Sequence, residues 1–179
     1  MRELTILTLL VLHFGCIQDI KTKSYSQNVS VEVSRIDQLI VEKDTYKYMG
    51  DIRYPSYSFN ETDFPLFDSN FVQSLVMAYY DTLTRKIIRI GILSYKHTNS
   101  SPSRIDDFYF DDSNQLIKID VLTPNTSPQH FASYYFQSNR LIYEKTKAIE
   151  VKDLNSYLNK IDNIYKVVRK KLLNKELID

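Results

Sequence analysis

Between Phe71 and about Lys145 one pattern recurs three times: a β-rich run carrying aromatics, a polar turn, then an aliphatic run. Residues 74–81 (SLVMAYYD) and 87–95 (IIRIGILSY) flank TLTRK, residues 104–110 (RIDDFYF) and 116–122 (LIKIDVL) flank DDSNQ, and residues 130–136 (HFASYYF) and 141–144 (LIYE) flank QSNR. Alternating runs bounded by turn formers predict antiparallel hairpins, and three in succession predict a meander of about six strands. Asn114 and Asn139 stand where hairpins often carry Gly. Asn is the residue other than Gly that best tolerates left-handed backbone, so these turns can close in a chain with only three glycines.

Alternation also predicts the faces. Ile117, Ile119 and Val121 fall on one side, with Lys118 and Asp120 on the other; Ile88, Ile90 and Ile92 point inward and Arg89 outward. One apolar side implies a sheet covered on one face and wet on the other. The cover is supplied by the C-terminal segment, where Leu154, Leu158, Ile161, Tyr165, Val168 and Leu172 form one stripe of a helix from about Asp153 to Asn174. Asp153 is its N-cap, and Arg169, Lys170, Lys171 and Lys175 suit the negative end of the helix dipole. The expectation is a two-layer α+β domain over residues 29–179, an antiparallel meander packed by a long C-terminal amphipathic helix. The alternative use of the stripe is helix pairing in a dimeric assembly component. Asn28 to Asp44 reads as a short strand turning into a helix, and Asp51 to Asn70 as a long loop with one strand at its start.

The N-terminus is an address. Leu4 to Leu12 (LTILTLLVL) is apolar and uncharged but too short to span a bilayer, which takes roughly 20 residues. The lone cysteine, Cys16, follows directly with Gly15 before it. The segment HFGC at residues 13–16 resembles the lipobox of bacterial lipoproteins, although His13 and Phe14 stand where that family usually has Leu and a small residue. The resemblance implies removal of residues 1–15, acylation of Cys16, membrane attachment through that lipid, and a position in the bacterial cell envelope outside the cytoplasm. Residues 16–28 then read as a polar tether. A plain secretory signal, an uncleaved anchor and a buried N-terminal helix are the competing readings.

The inventory excludes more than it offers. A net charge of +1 from 23 basic and 22 acidic residues gives no electrostatic support for nucleic-acid binding. Gly50 and Gly91 are isolated, so no phosphate loop or dinucleotide fingerprint exists. His97 and His130 have no cysteine beside them once Cys16 is acylated; a structural zinc site is excluded and no cofactor is implied. The remaining chemistry is carboxylate: Asp106, Asp107, Asp111 and Asp112 could hold a cation or act as an acid/base pair in an envelope hydrolase, against the simpler reading that they start a strand and form a turn. Tyr46, Tyr48, Tyr54, Tyr57 and Phe59 crowd the loop region and are the candidate binding residues, since exposed tyrosines give large contact area at low entropic cost. The resulting expectation is a non-catalytic domain that binds a protein or small-molecule partner, with the hydrolase as the alternative.

Overall fold

The structure, a computed structural model, describes residues 22–40, 56–59, 70–81, 83–97, 101–124, 126, 130–147 and 153–174. After a first helix α1 (residues 22–40) come seven strands: β1 Ser56–Phe59, β2 Gln73–Tyr80, β3 Ile87–Tyr95, β4 Arg104–Phe110, β5 Leu116–Thr123, β6 His130–Gln137 and β7 Arg140–Lys147. A second helix, α2 (Leu154–Leu173), closes the described chain. The strands pair in sequence order, every neighbour antiparallel, so the sheet is a simple meander. The six strands of the three hairpins lie within a few residues of their expected bounds, and β1 adds an edge strand where one was expected within the 51–70 loop.

α2 packs on one face. Tyr157, Ile161, Ile164, Val168 and Leu172 are its buried residues and meet Val76, Ala78, Ile90, Ile92, Phe108, Ile119, Val121, Ala132 and Phe136 of the sheet. The buried stripe is rotated from the expected one: Tyr157 and Ile164 are central, while Leu154, Leu158 and Tyr165 lie half-buried beside it. Asp153 caps the helix, its carboxylate accepting from the Ser156 amide at 3.0 Å. The helix stripe is therefore engaged by its own sheet.

The other face is not wet. α1 lies on it and buries Val29, Val33, Ile36 and Ile40 against Tyr109, Ile117 and Tyr135, giving three layers rather than two. The short strand expected at the start of Asn28 to Asp44 is corrected: Val31, which completes the strand-like alternation, is 71% exposed, and the four-three-four spacing from Val29 to Ile40 decides the structure. Residues 22–28, expected in the tether, are the first turns of this helix.

Each hairpin carries an irregularity at the same place. Tyr79 and Tyr80 face Arg89 and Ile87, Tyr109 and Phe110 face Lys118 and Leu116, and Tyr135 and Phe136 face Tyr143 and Leu141. The extra residues are Ile88, Ile117 and Ile142. A bulge breaks strict alternation, so Ile88, Ile117 and Ile142 join the α1 side while Ile87, Ile90, Ile119 and Leu116 stay with α2. The expected inward placement of Ile88 and Ile117 with their neighbours is thereby corrected. Both residues of the two-residue turn Ser138-Asn139 have positive φ, as does Asn114, as the turn chemistry requires.

Candidate functional site

Three arrangements hold the chemistry of the described residues. The first is buried under α2. The Asp106 carboxylate, fully buried, accepts from Arg104 Nε at 3.0 Å and Nη2 at 2.7 Å, and from the Tyr157 hydroxyl. Arg104 also lies 5.7 Å from the centre of the Tyr157 ring. Burial, followed by the Asp106 charge, pushes the Tyr157 phenol well above its usual range. The acid is fully engaged and closed to solvent, a structural clasp between β4 and α2.

The second arrangement lies under α1 and follows from the bulges, which align Tyr79, Arg89, Tyr109, Lys118, Tyr135 and Tyr143 in one row across β2 to β7. Arg89 sits 5.4 Å and 5.5 Å from the Tyr79 and Tyr109 rings, and Lys118 sits 5.9 Å and 5.4 Å from those of Tyr109 and Tyr135. Cations alternate with aromatic faces, which accommodates charge beneath a helix. Arg89 ties the layers: it donates to Asp107 at 2.7 and 2.9 Å and to Asp37 of α1 at 3.1 Å, and the Tyr109 hydroxyl donates to Asp37 at 3.2 Å. Burial raises the Asp107 carboxyl and the Arg89 charge opposes that rise; burial also raises the Tyr109 phenol. In the next row Gly91 faces Asp107, and a Cβ at Gly91 would stand 3.2 Å from the Asp107 carboxylate. The glycine thus makes room for the acid that Arg89 engages.

The third arrangement is a cleft of about 360 Å³ between α2 and the tips of two hairpins. Phe110, Leu116, Phe136, Leu158 and Tyr165 supply an apolar lining, and Tyr165 packs on Phe110 with ring centres 4.9 Å apart. Asn114, Asn139, Asn159 and Asp162 stand round it. Asp162 pairs with Lys166, so the polar part of the lining is mainly amide. An apolar lining with a few convergent hydrogen-bonding groups is the usual character of a small-molecule site.

The acids picked out in the sequence do not converge. Asp106 and Asp107 point to opposite faces of β4, each with its own arginine. Asp111 accepts from the Ser113 and Gln115 amides at 2.8 and 2.9 Å, and the Asp112 carbonyl accepts from Lys86, so both belong to the turn. Among the described residues no three His, Cys, Asp or Glu side chains are grouped to hold a metal ion. Cys16, Tyr46, Tyr48 and Tyr54 lie outside the described residues. Tyr57 and Phe59 are placed by backbone only, opposite Ala78 and Val76. Sequence reasoning missed Asp37, Arg104, Tyr157 and the inward role of Arg89. The usable signal was the repeated position after each turn, which reads IIR, LIK and LIY. Comparison with family models, with curated proteins and with solved structures finds no match to this chain.

Proposed function

We propose that this chain is a bacterial envelope lipoprotein, acylated at Cys16, whose domain binds a protein or small-molecule partner and carries out no covalent chemistry. The observation that carries the non-catalytic half is the separation of Asp106 from Asp107 by the sheet itself. A carboxylate pair must reach one substrate from two sides at about 5–10 Å, and adjacent strand residues face opposite ways. Both acids are also engaged by arginine. The anchoring half rests on the lipobox-like residues 13–16. Among the described residues no helix is long and apolar enough to cross a membrane. The amide-rimmed cleft beside Tyr165 is the natural place for a partner's apolar group, because Asn amides can both donate and accept.

The test replaces Cys16 with Ser in the full chain expressed in bacteria. The wild type is expected in the membrane fraction and Cys16→Ser outside it; equal partition of the two proteins would refute the anchor. In parallel, Asp106→Asn and Asp107→Asn are expected to lower the melting temperature. An envelope hydrolase activity abolished by either change at unchanged stability would refute the non-catalytic reading.

A further inference from the structure

The three hairpin turns, at Asp81–Lys86, Asp111–Gln115 and Ser138–Asn139, all lie at one end of the sheet because a meander alternates its connections between ends. That end has an unusual surface. Leu83 in the first turn is 75% exposed, Leu173 at the end of α2 is 64% exposed, and Leu141 just after the third turn is 40% exposed. The end of α2 belongs to the same end of the molecule, since Arg85 in the first turn donates to the Leu172 carbonyl at 3.4 Å. At this end the first turn carries Arg85 and Lys86, β7 opens on Arg140 and the last turn of α2 holds Lys170 and Lys171, against Asp111 and Asp112 in the second turn. Exposed aliphatic side chains interspersed with basic ones suit the interface of an acidic bilayer, where the leucines enter the acyl boundary and the cations meet lipid phosphates.

The first helix points to the same end. Tyr25, in its first turn, donates to the carbonyl of Phe136, the second residue before the third turn, at 2.7 Å. α1 then crosses the strands along the bulged row, with Ser30 beside Tyr135 of β6 and Asp37 bonded to Arg89 of β3. The N-terminus of α1 is thus fixed at the turn end. Only residues 17–21 separate it from Cys16. Six fully extended peptide steps reach about 20 Å, which is also about the length of the six residue steps from Phe136 to His130 at the opposite end of β6. A lipid on Cys16 reaches the turn end readily and the opposite end only with the tether at full extension.

We infer that the turn end of the sheet is a membrane-facing surface, with Leu83, Leu141 and Leu173 seated in the interface of a bilayer bearing acidic headgroups and Arg85, Arg140, Lys170 and Lys171 on its phosphates. The inference rests on acylation of Cys16, which brings the domain to a bilayer; the exposed leucines and basic residues select the end that meets it. It places the cleft beside Asn114 and Asn139 next to the lipid surface, so a partner entering it would come from, or along, the membrane.

The chain contains no tryptophan, so a single introduced indole can be excited selectively on the red side of tyrosine absorption. Leu83→Trp and Val72→Trp each replace an exposed aliphatic residue, the first at the turn end and the second at the opposite end, where the Val72 amide bonds to the Tyr95 carbonyl. The full chain is expressed in bacteria, its Cys16 acylation verified by mass, and the acylated protein reconstituted into vesicles of brominated phosphatidylcholine with phosphatidylglycerol. The expected result is at least a twofold loss of Leu83→Trp emission, with little loss for Val72→Trp, and a smaller contrast when phosphatidylglycerol is omitted. Equal quenching at both positions, or stronger quenching of Val72→Trp, in acylated protein overturns the orientation and leaves the lipoprotein reading intact. An unacylated Cys16 overturns both. A contrast indifferent to phosphatidylglycerol removes the basic residues from the surface.

Discussion

Asp106 and Asp107 are consecutive residues of β4, yet Asp106 is clasped by Arg104 and Tyr157 beneath α2 while Asp107 is held by Arg89 beneath α1. One pair of neighbouring acids thus secures both helices to the sheet. Their proximity in sequence suggests a paired site, and the pleat of the strand divides them between two structural roles.

The Asp106 clasp is expected to be the more costly to break. Asp106→Asn leaves the largely buried Arg104 without its counter-charge and is predicted to destabilise the fold by about 3–5 kcal/mol. Tyr157→Phe removes one donor and keeps the ring contact with Phe108, for a loss of about 1–3 kcal/mol. Urea denaturation measures both. A change below about 0.5 kcal/mol for Asp106→Asn, the size usual for surface substitutions, contradicts the assignment.

Arg89 is expected to govern α1 selectively. Arg89→Met removes the partner of both Asp37 and Asp107, so amide exchange in residues 22–40 should accelerate by at least tenfold while the core of α2 stays protected. Uniform acceleration in both helices would show that Arg89 supports the whole fold rather than the attachment of α1.

Alkaline pH tests the buried phenols. Burial raises the folded-state pKa of Tyr157 and Tyr109 above their unfolded value. Between those two values the folded state binds more protons, so their contribution to stability is complete below about pH 10 and falls as pH rises beyond it. Absorbance of tyrosinate at 295 nm should therefore rise in two stages, with the last tyrosines ionising only as circular dichroism reports unfolding. Complete ionisation of all 14 tyrosines near pH 10 with the fold retained contradicts this.

Turn chemistry gives a smaller, signed effect. Asn139 has φ 61, so Asn139→Val is expected to destabilise by about 1–2 kcal/mol, whereas Asn139→Gly should be close to neutral. Thermal melts of the two variants should differ in that direction; indistinguishable melting temperatures contradict the left-handed turn.

The meander and α2 were legible because each is a strong local signal: turn residues between alternating runs, and an apolar stripe longer than any strand. α1 was misread at its start because Val29, Val31 and Val33 satisfy a period of two and two of the three also satisfy helical spacing. Only the exposure of Val31 separates the readings, and exposure depends on what lies opposite. The face assignments failed at Ile88 and Ile117 for a related reason. A bulge adds a residue without leaving a Gly or Pro to mark it, and everything beyond it changes sides. The arginine partners of Asp106 and Asp107 were not found because Arg89 comes from the neighbouring strand, and Arg104 is two positions from Asp106, on the same face only once the strand exists.

The proposed anchor is a lipid on Cys16, a few residues before α1 begins. Mass spectrometry of the intact protein from bacterial membranes reads that anchor at once. The predicted result is a chain beginning at Cys16 and bearing a diacylglyceryl or triacyl mass on that residue. A chain that retains residues 1–15 with an unmodified thiol contradicts it.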